Sequence, residues 1–311
     1  MIDATNHAVS ADPIAITGAT GFIGSHLLSC LHDLDQPSRV LIRDKRNRGL
    51  NVPGSTEIIS GSLTDHDSVL NLLKGTQACI HLAGATTSID ISGFHRANVV
   101  GTDTMAACAM ACGVKHFIYI SSQAARAPFI SNYAASKALG EAVLSRFRSK
   151  MKITIIRPPA VIGPGDPMLQ PMLDLIRRGW LPAPAEPKGK TRQFALISVR
   201  DLVSEIVRRL NDPQKTDSVV EPCSIPVATW DQIGSTTSAV LDRKVTVMRV
   251  WPGLMKGIGL CADTLARLTR RPLPISYNKV REMLAVDWTY DRAVQDAMTL
   301  HEMFAVCLRD E

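Results

Sequence analysis

Thr17-Gly18-Ala19-Thr20-Gly21-Phe22-Ile23-Gly24 decides the fold of this chain. The apolar run Pro13-Ile14-Ala15-Ile16 precedes it, and a second apolar run, Phe22 to Leu31, leaves it. That layout is a strand, a glycine-rich turn and a helix. Gly18 permits a tight turn off the strand. Gly21 lets the backbone approach a pyrophosphate, and Gly24 lets the helix pack close to the sheet. The helix N-terminus presents unsatisfied N–H groups and partial positive charge to phosphates. A plain turn uses glycine too, so the downstream segments must carry the reading further.

The same alternation continues. Strands are predicted at Ile14–Thr17, Arg39–Ile42, Glu57–Ser60, Ala78–Leu82, His116–Ile120 and Ile153–Ile156. Most are short β-branched runs without polar alternation, the pattern of parallel strands buried on both faces. Helices are predicted between them at Phe22–His32, Asp65–Lys74, Phe94–Cys112 and Tyr133–Phe147. The expectation is an α/β protein with a doubly wound parallel sheet, a Rossmann fold. After Arg157-Pro158-Pro159 prolines cluster, and Gly163-Pro164-Gly165-Asp166 reads as a turn. The expected division is a dinucleotide-binding domain over 1–160, with 192–211 returning to it, and a substrate-binding lobe over 161–191 and 212–311.

Length and composition fit this plan. The 311 residues suffice for one large α/β domain and a smaller lobe, and 45% hydrophobic against 21% charged residues is an ordinary globular balance. The net charge of +6 favours anionic ligands or an anionic membrane surface. No interleaved aromatic and basic tract points to nucleic acid. The seven cysteines form no CxxC pair and read as reduced thiols, so no metal site is expected. Met1 to Asp12 lacks the apolar core of a signal peptide, and no uncharged run reaches membrane-spanning length. A cytoplasmic protein is expected.

Three elements could carry chemistry. Tyr133-Ala134-Ala135-Ser136-Lys137 places Tyr133 and Lys137 one helical turn apart on one face. An ammonium beside a phenol favours the phenolate and lowers its pKa toward working pH. Such a tyrosine can donate or accept a proton at a carbonyl or hydroxyl. Tyr119-Ile120-Ser121-Ser122 ends a predicted strand, and ligands of such sheets sit off the carboxyl ends of strands. Ser122, rather than Ser121, is in register to hydrogen-bond a reacting oxygen. Asn98, in Asn98-Val99-Val100-Gly101-Thr102, is either a helix-bending or water-holding polar group or a satisfied core amide.

Together these segments resemble the extended short-chain dehydrogenase/reductase family over about residues 13–210. The family's TGxxGxxG motif matches Gly18, Gly21 and Gly24. Its YxxxK matches Tyr133 and Lys137, and its active-site serine matches Ser122. NxxGT matches Asn98–Thr102, the HLAA-type strand end matches His81–Gly84, and the Arg-Pro-Pro segment matches Arg157–Asp166. The resemblance implies that Tyr133 is the general acid/base, Lys137 holds the nicotinamide ribose, and Ser122 polarises the substrate oxygen, with Asn98 in support. It implies cofactor contacts from Gly18, Thr20, Gly21, Phe22, Ile23, Gly24, Arg43, Ser62, Leu63, Leu82, Ala83, Gly84 and Pro158, besides Tyr133 and Lys137. A homodimer is a further expectation of the resemblance.

Three departures bear on the cofactor and pocket. The second strand ends Leu41-Ile42-Arg43, where many NAD-using relatives carry aspartate; Asp44, Lys45, Arg46 and Arg48 come next. An arginine there suits a 2′-phosphate, so NADP is expected, with Asp44 keeping NAD open. Ser62 stands where an adenine-side aspartate is usual. Ile162 replaces a common tyrosine and makes the pocket less polar. Two reactions remain: reduction of a ketone on a hydrophobic, lipid-type substrate, or nucleotide-sugar epimerisation or dehydration with retained NAD. Residues 276–288 are similar to bacterial members acting on 3-keto sphingoid bases or ceramides. A scaffold that lost its chemistry is disfavoured because Ser122, Tyr133 and Lys137 are all present.

The C-terminal part holds one further pattern. Between Arg243 and Arg281 there are nine basic residues and one acidic residue, Asp263. Leu254, Ile258, Ala262, Leu265 and Leu268 share one helical face, and Lys256, Arg267 and Arg270 another. Residues 253–271 are therefore either an ordinary surface helix or an element that touches a membrane surface.

Overall fold

Strand Ile14–Thr17 (β1) is fully buried, as its uninterrupted apolar run requires. A computed structural model describes residues 12–43, 55–212, 218–271, 273, 275–285 and 287–309. From β1 the chain turns into helix Phe22–Asp33 (α1), strand Ser38–Ile42 (β2), strand Thr56–Ser60 (β3) and helix His66–Leu73 (α2). Strand Ala78–His81 (β4) leads to helix Ile91–His95 (α3), a π-helical segment Arg96–Val100, and helix Gly101–Ala111 (α4). Strand His116–Ile120 (β5), helix Asn132–Leu144 (α5) and strand Lys152–Ile156 (β6) complete the expected alternation. Each predicted strand in this half lies within one residue of the observed bounds.

These strands form a seven-stranded sheet with a late strand, Ser218–Val220 (β10), in the order β10-β6-β5-β4-β1-β2-β3. Every pairing is parallel. The strand order reverses between β1 and β4, which makes the crevice beyond their carboxyl ends the ligand site of a doubly wound sheet. One face of the sheet packs Ile16, Ile80 and Ile118 against Leu27 and Leu31 of α1 and against Leu202 and Ile206. The other packs Phe117, Tyr119 and Ile153 against Leu72 of α2, Met105 of α4 and Leu144 of α5. Burying each such leucine stabilises the fold by about 2 kcal/mol.

The second half is built from strand Ala160–Ile162 (β7), helix Gln170–Arg177 (α6), strand Trp180–Pro184 (β8), strand Gln193–Ser198 (β9) and helix Val199–Leu210 (α7). After β10 come strand Ile225–Ala228 (β11), helix Trp230–Val240 (α8), strand Thr246–Val250 (β12) and helix Pro252–Thr269 (α9). Helix Tyr277–Met283 (α10), strand Asp287–Trp288 (β13) and helix Leu300–Leu308 (α11) end the described chain. Strands β11, β9, β13 and β7 form a second sheet, and β12 pairs with β8. Leu173, Ile176, Leu181, Ile233, Met303 and Phe304 form a separate apolar cluster for this part.

The strand assignments depart from the expected division at two places. Residues 192–211 return to the main layer through α7 and the side chain of Ile197, while β9 itself pairs in the smaller sheet. Residues 218–220, expected in the lobe, close the edge of the main sheet beside β6. The reason is packing rather than local pattern. Phe194 to Ser198 is apolar enough for either sheet, and Ser218-Val219-Val220 is too short to announce its partner. The two parts are tied at Asp201, which accepts hydrogen bonds from Ser224 (2.6 Å) and from the Met298 amide (2.8 Å).

Phe94–Cys112, expected as one helix, is interrupted by the π-helical segment around Asn98. Such single-turn bulges cluster at functional sites, because they re-aim a side chain within a helix.

Candidate active site

The turn after β1 is forced by backbone contacts. Gly18 has φ +75°, and a β-carbon there would stand 2.6 Å from the Ala83 nitrogen. Gly24 is tighter: its β-carbon would lie 2.2 Å from the Gly18 carbonyl and 2.7 Å from the Ala19 α-carbon. The loops after β1 and β4 therefore touch at the switch point. The Leu82 amide donates to the Thr17 carbonyl (3.1 Å), and the Ala83 amide to Thr17 Oγ1 (3.4 Å).

Gly21 is the N-cap of α1, without a side-chain cap, and the first turn carries no acidic side chain. A β-carbon on Gly21 would meet only the Gly18 carbonyl within 4 Å. The helix thus opens with donors uncapped by side chain and space in front, which is what a pyrophosphate needs. Thr20 and Gly21 are exposed, and Phe22 and Ile23 are half-buried beside them. Arg43 is exposed just beyond β2. Asp44, Lys45, Arg46 and Arg48 lie outside the described residues. Ser62 bonds Thr64 (2.8 Å), and Leu63 packs toward Gly101. Pro158 is buried, its carbonyl accepting from the Gln123 amide (2.9 Å).

His81 ends β4 fully buried and is hydrogen-bonded at both ring nitrogens, to Thr17 Oγ1 (2.6 Å) and Thr102 Oγ1 (3.2 Å). It stacks on Tyr119 at 5.8 Å. Burial, aided by Lys137, pulls its pKa down to about 3. His116, bonded to Thr154 (2.9 Å), is pulled down to about 4, first by burial and then by Lys152. Both folded values lie below the ordinary one. Stability is therefore complete above about pH 6.5 and is lost as pH falls toward the folded values. We expect about 2–3 kcal/mol of loss per histidine by about pH 4.5, read as a falling thermal midpoint. A flat midpoint from neutral pH to there would show that neither imidazole is held neutral.

Asn98 uses its amide fully. Its Nδ2 donates to the Ala85 carbonyl (3.0 Å) and Ser136 Oγ (2.9 Å), and Oδ1 accepts from the Ala85 amide (2.8 Å). Of the two readings open for it, the geometry is that of a satisfied buried amide. It clamps the loop after β4, with Gly84 held close beneath it. Ser136 in turn donates to the Tyr133 carbonyl (2.7 Å), so one chain of bonds joins that loop to α5.

Ser122 meets Tyr133, whereas Lys137 turns to other partners. Ser122 lies beside the Tyr133 phenol and accepts from the Ala124 amide (3.2 Å). Ser121 instead turns inward and donates to Glu141 (2.5 Å). Lys137 is buried and donates to the Ile120 carbonyl (2.7 Å) and the Tyr119 hydroxyl (3.4 Å), with its ammonium 4.7 Å from the Tyr119 ring centre. Burial lowers its pKa to about 8, with Glu141 opposing. Tyr133 is pushed up to about 12, first by burial, with Ser122 pulling down and Glu282 pushing up. The expected lowering of the phenol by Lys137 is therefore corrected. A shared face on one helix does not make two side chains partners when a carbonyl and a second tyrosine lie nearer the ammonium. At neutral pH the Tyr133 phenol holds its proton and is a donor.

Four supporting residues were not read from sequence. Tyr119 is fully buried under Lys137. Glu141 pairs with Arg157 at 2.6 Å, and Arg157 also reaches Glu221 at 3.2 Å. Glu141 stands four residues after Lys137, a spacing that could have flagged it. Ser131 caps α5 and donates to the buried Glu282, which comes from α10. Nothing local joins those two residues. The same region is braced by Gln123 donating to the Trp288 carbonyl (2.7 Å) and Arg126 to the Thr289 carbonyl (3.0 Å). Helix α10 and Trp288 thus form one wall beside Tyr133.

Residues 14–220 match the NAD dependent epimerase/dehydratase family. The chain is 34% identical over 279 residues to a ceramide reductase of Caulobacter vibrioides, covering 89% of this chain and 85% of the relative. It is 32% identical over 183 residues to a 2-alkyl-3-oxoalkanoate reductase of Stenotrophomonas maltophilia, covering 51% of this chain and 54% of that one. Among solved structures, a UDP-glucuronic acid 4-epimerase from Bacillus cereus in complex with NAD superposes with a TM-score of 0.68 at 16% identity, covering 95% of both chains. That last likeness is one of fold.

Proposed function

The chain belongs to the NAD dependent epimerase/dehydratase family of extended short-chain dehydrogenases/reductases and is an NAD(P)-dependent oxidoreductase; within that class we propose that it reduces a ketone on a lipid, of the 3-keto sphingoid or ceramide type, using NADPH. The observation that carries this reading is the reach of the likeness to the ceramide reductase. It spans 279 residues, more than the 14–220 segment common to the family can hold, so it runs into the C-terminal part. That part holds the wall beside Tyr133 and would hold the substrate.

The site residues fit the chemistry. The bound nicotinamide would supply a hydride to the carbonyl carbon. The Tyr133 hydroxyl donates its proton to the carbonyl oxygen, a role suited to a phenol that stays protonated at neutral pH. Ser122, beside that phenol, donates a second hydrogen bond to the same oxygen and polarises it. Lys137 orients the site from below through Tyr119 and the end of β5. Arg43, exposed just beyond β2, would supply charge-assisted hydrogen bonds to a 2′-phosphate.

The test is oxidation of NADPH by the purified protein with long-chain 3-keto lipids dispersed in detergent. Activity with NADPH above that with NADH is expected, and Arg43→Ala should raise the KM for NADPH about tenfold or more while leaving NADH unchanged. Tightly retained NAD, turnover of a sugar nucleotide and no NADPH oxidation would replace this reading with the epimerase or dehydratase one.

A further inference from the structure

Most of the long apolar side chains of α9 face away from the protein. Leu254, Ile258, Leu265 and Leu268 are 56%, 45%, 50% and 78% exposed, and Trp251, just before the helix, is 72% exposed. At about 100° per residue, the four helical positions fall within a stripe about 80° wide. The side that packs inward is made of Met255, Gly259, Ala262 and Ala266. Gly259 approaches α10 so closely that a β-carbon would lie 2.8 Å from the Tyr277 α-carbon. An ordinary surface helix buries its large residues and exposes its polar ones. Apart from Met255 this helix buries small residues and leaves its leucines out, so the expected apolar face is split: Ala262 goes in, and the others stay outside.

We propose that α9 lies on an anionic lipid surface, with this stripe inserted below the headgroups and its basic residues among them. Charge argues for that occupant. Lys256, Arg267, Arg270 and Arg271 are all exposed on or beside the helix. The one acidic side chain, Asp263, is engaged by the Tyr277 amide (3.2 Å). A second copy packed here would bring an equally cationic helix alongside, with Asp263 as that helix's one carboxylate. Spanning the bilayer is a different mode, and no helix among the described residues is long and apolar enough for it. A basic helix with an apolar stripe and a tryptophan at one end suits the headgroup boundary.

The surface is also mechanically joined to the active site. Helix α9 holds α10, and α10 carries Glu282 beside Tyr133 and Asn278, which accepts from the Asn132 amide (3.3 Å). Arg281 donates to the carbonyl of Phe129, whose side chain is 94% exposed in the loop leading to Tyr133. Docking would bring the wall of the site to the membrane, although docking itself requires no lipid substrate.

Sedimentation with vesicles tests it directly. The protein should sediment with phosphatidylcholine vesicles containing phosphatidylglycerol, less so in high salt, and weakly with phosphatidylcholine alone. Leu265→Asp combined with Leu268→Asp should cut bound protein at least about tenfold. Because both sites are exposed, the variant's thermal midpoint should match the parent's, which separates lost docking from lost folding. Equal binding to neutral vesicles, or none to either, overturns the proposal. So does a parent dimer that the same pair of substitutions splits, since a second copy would then cover the stripe.

Discussion

Tyr133→Phe is expected to lower kcat for ketone reduction about a thousandfold, within the range a positioned proton donor contributes. The substitution removes one hydroxyl and leaves the ring. Ring packing against Phe94, with centroids 6.1 Å apart, is retained. The cap of α5 by Ser131 does not involve the phenol. Dinucleotide affinity, set by the turn after β1 and the loop after β4, should stay within about threefold, since no phenol bond holds those loops. The two readouts are stopped-flow NADPH oxidation and a fluorescence titration with NADPH. A variant that turns over like the parent would remove Tyr133 from the chemistry and reopen the scaffold reading. A variant that loses nucleotide affinity instead would make the phenol a cofactor ligand first.

Gly24→Ala is the second large effect. The added methyl meets the Gly18 carbonyl and the Ala19 backbone, and no flexible side chain can yield. Either α1 shifts off the sheet or the phosphate turn deforms. Overpacking of this kind costs about 1–3 kcal/mol in stability. The larger loss is in binding, because a displaced helix N-terminus no longer aims its amides at the pyrophosphate. A fall in NADPH affinity of about a hundredfold or more is expected, from losing about two charge-assisted hydrogen bonds. Gly257→Ala in α9 is the control. No atom lies within 4 Å of its β-carbon position, so alanine should be neutral or stabilise by up to about 1 kcal/mol. Undiminished NADPH binding by Gly24→Ala would place the dinucleotide elsewhere than at this turn.

Much of the dinucleotide half was legible because its signals are local. Short apolar runs bounded by turns give buried parallel strands, and the observed strands match them closely. Ser122 over Ser121 was legible from strand register: successive side chains alternate, so one serine turns in to Glu141 and the next faces Tyr133. The π-helical segment was legible only as the helix-bending reading of Asn98. The pattern from Phe94 to Cys112 suits continuous helix, and the bulge exists because Asn98 is drawn to the Ala85 backbone across the fold. Strand β10 and the sheet change of β9 were missed for a related reason. A largely apolar run of three or six residues defines a strand but not the neighbour it pairs with.

Residue order alone reads as a strand, a bare glycine turn and a helix of the dinucleotide-binding kind, with Tyr133 and Lys137 one turn apart near a strand-end serine. Chain geometry over a few residues is enough for both. What those groups meet depends on the folded chain. It gave Lys137 to Tyr119 and the Ile120 carbonyl, and set Glu282 beside Tyr133 across about half the chain. It also turned the leucines of α9 outward. Periodicity says which side chains share a face. What that face meets depends on residues distant in sequence, and no local pattern carries that information.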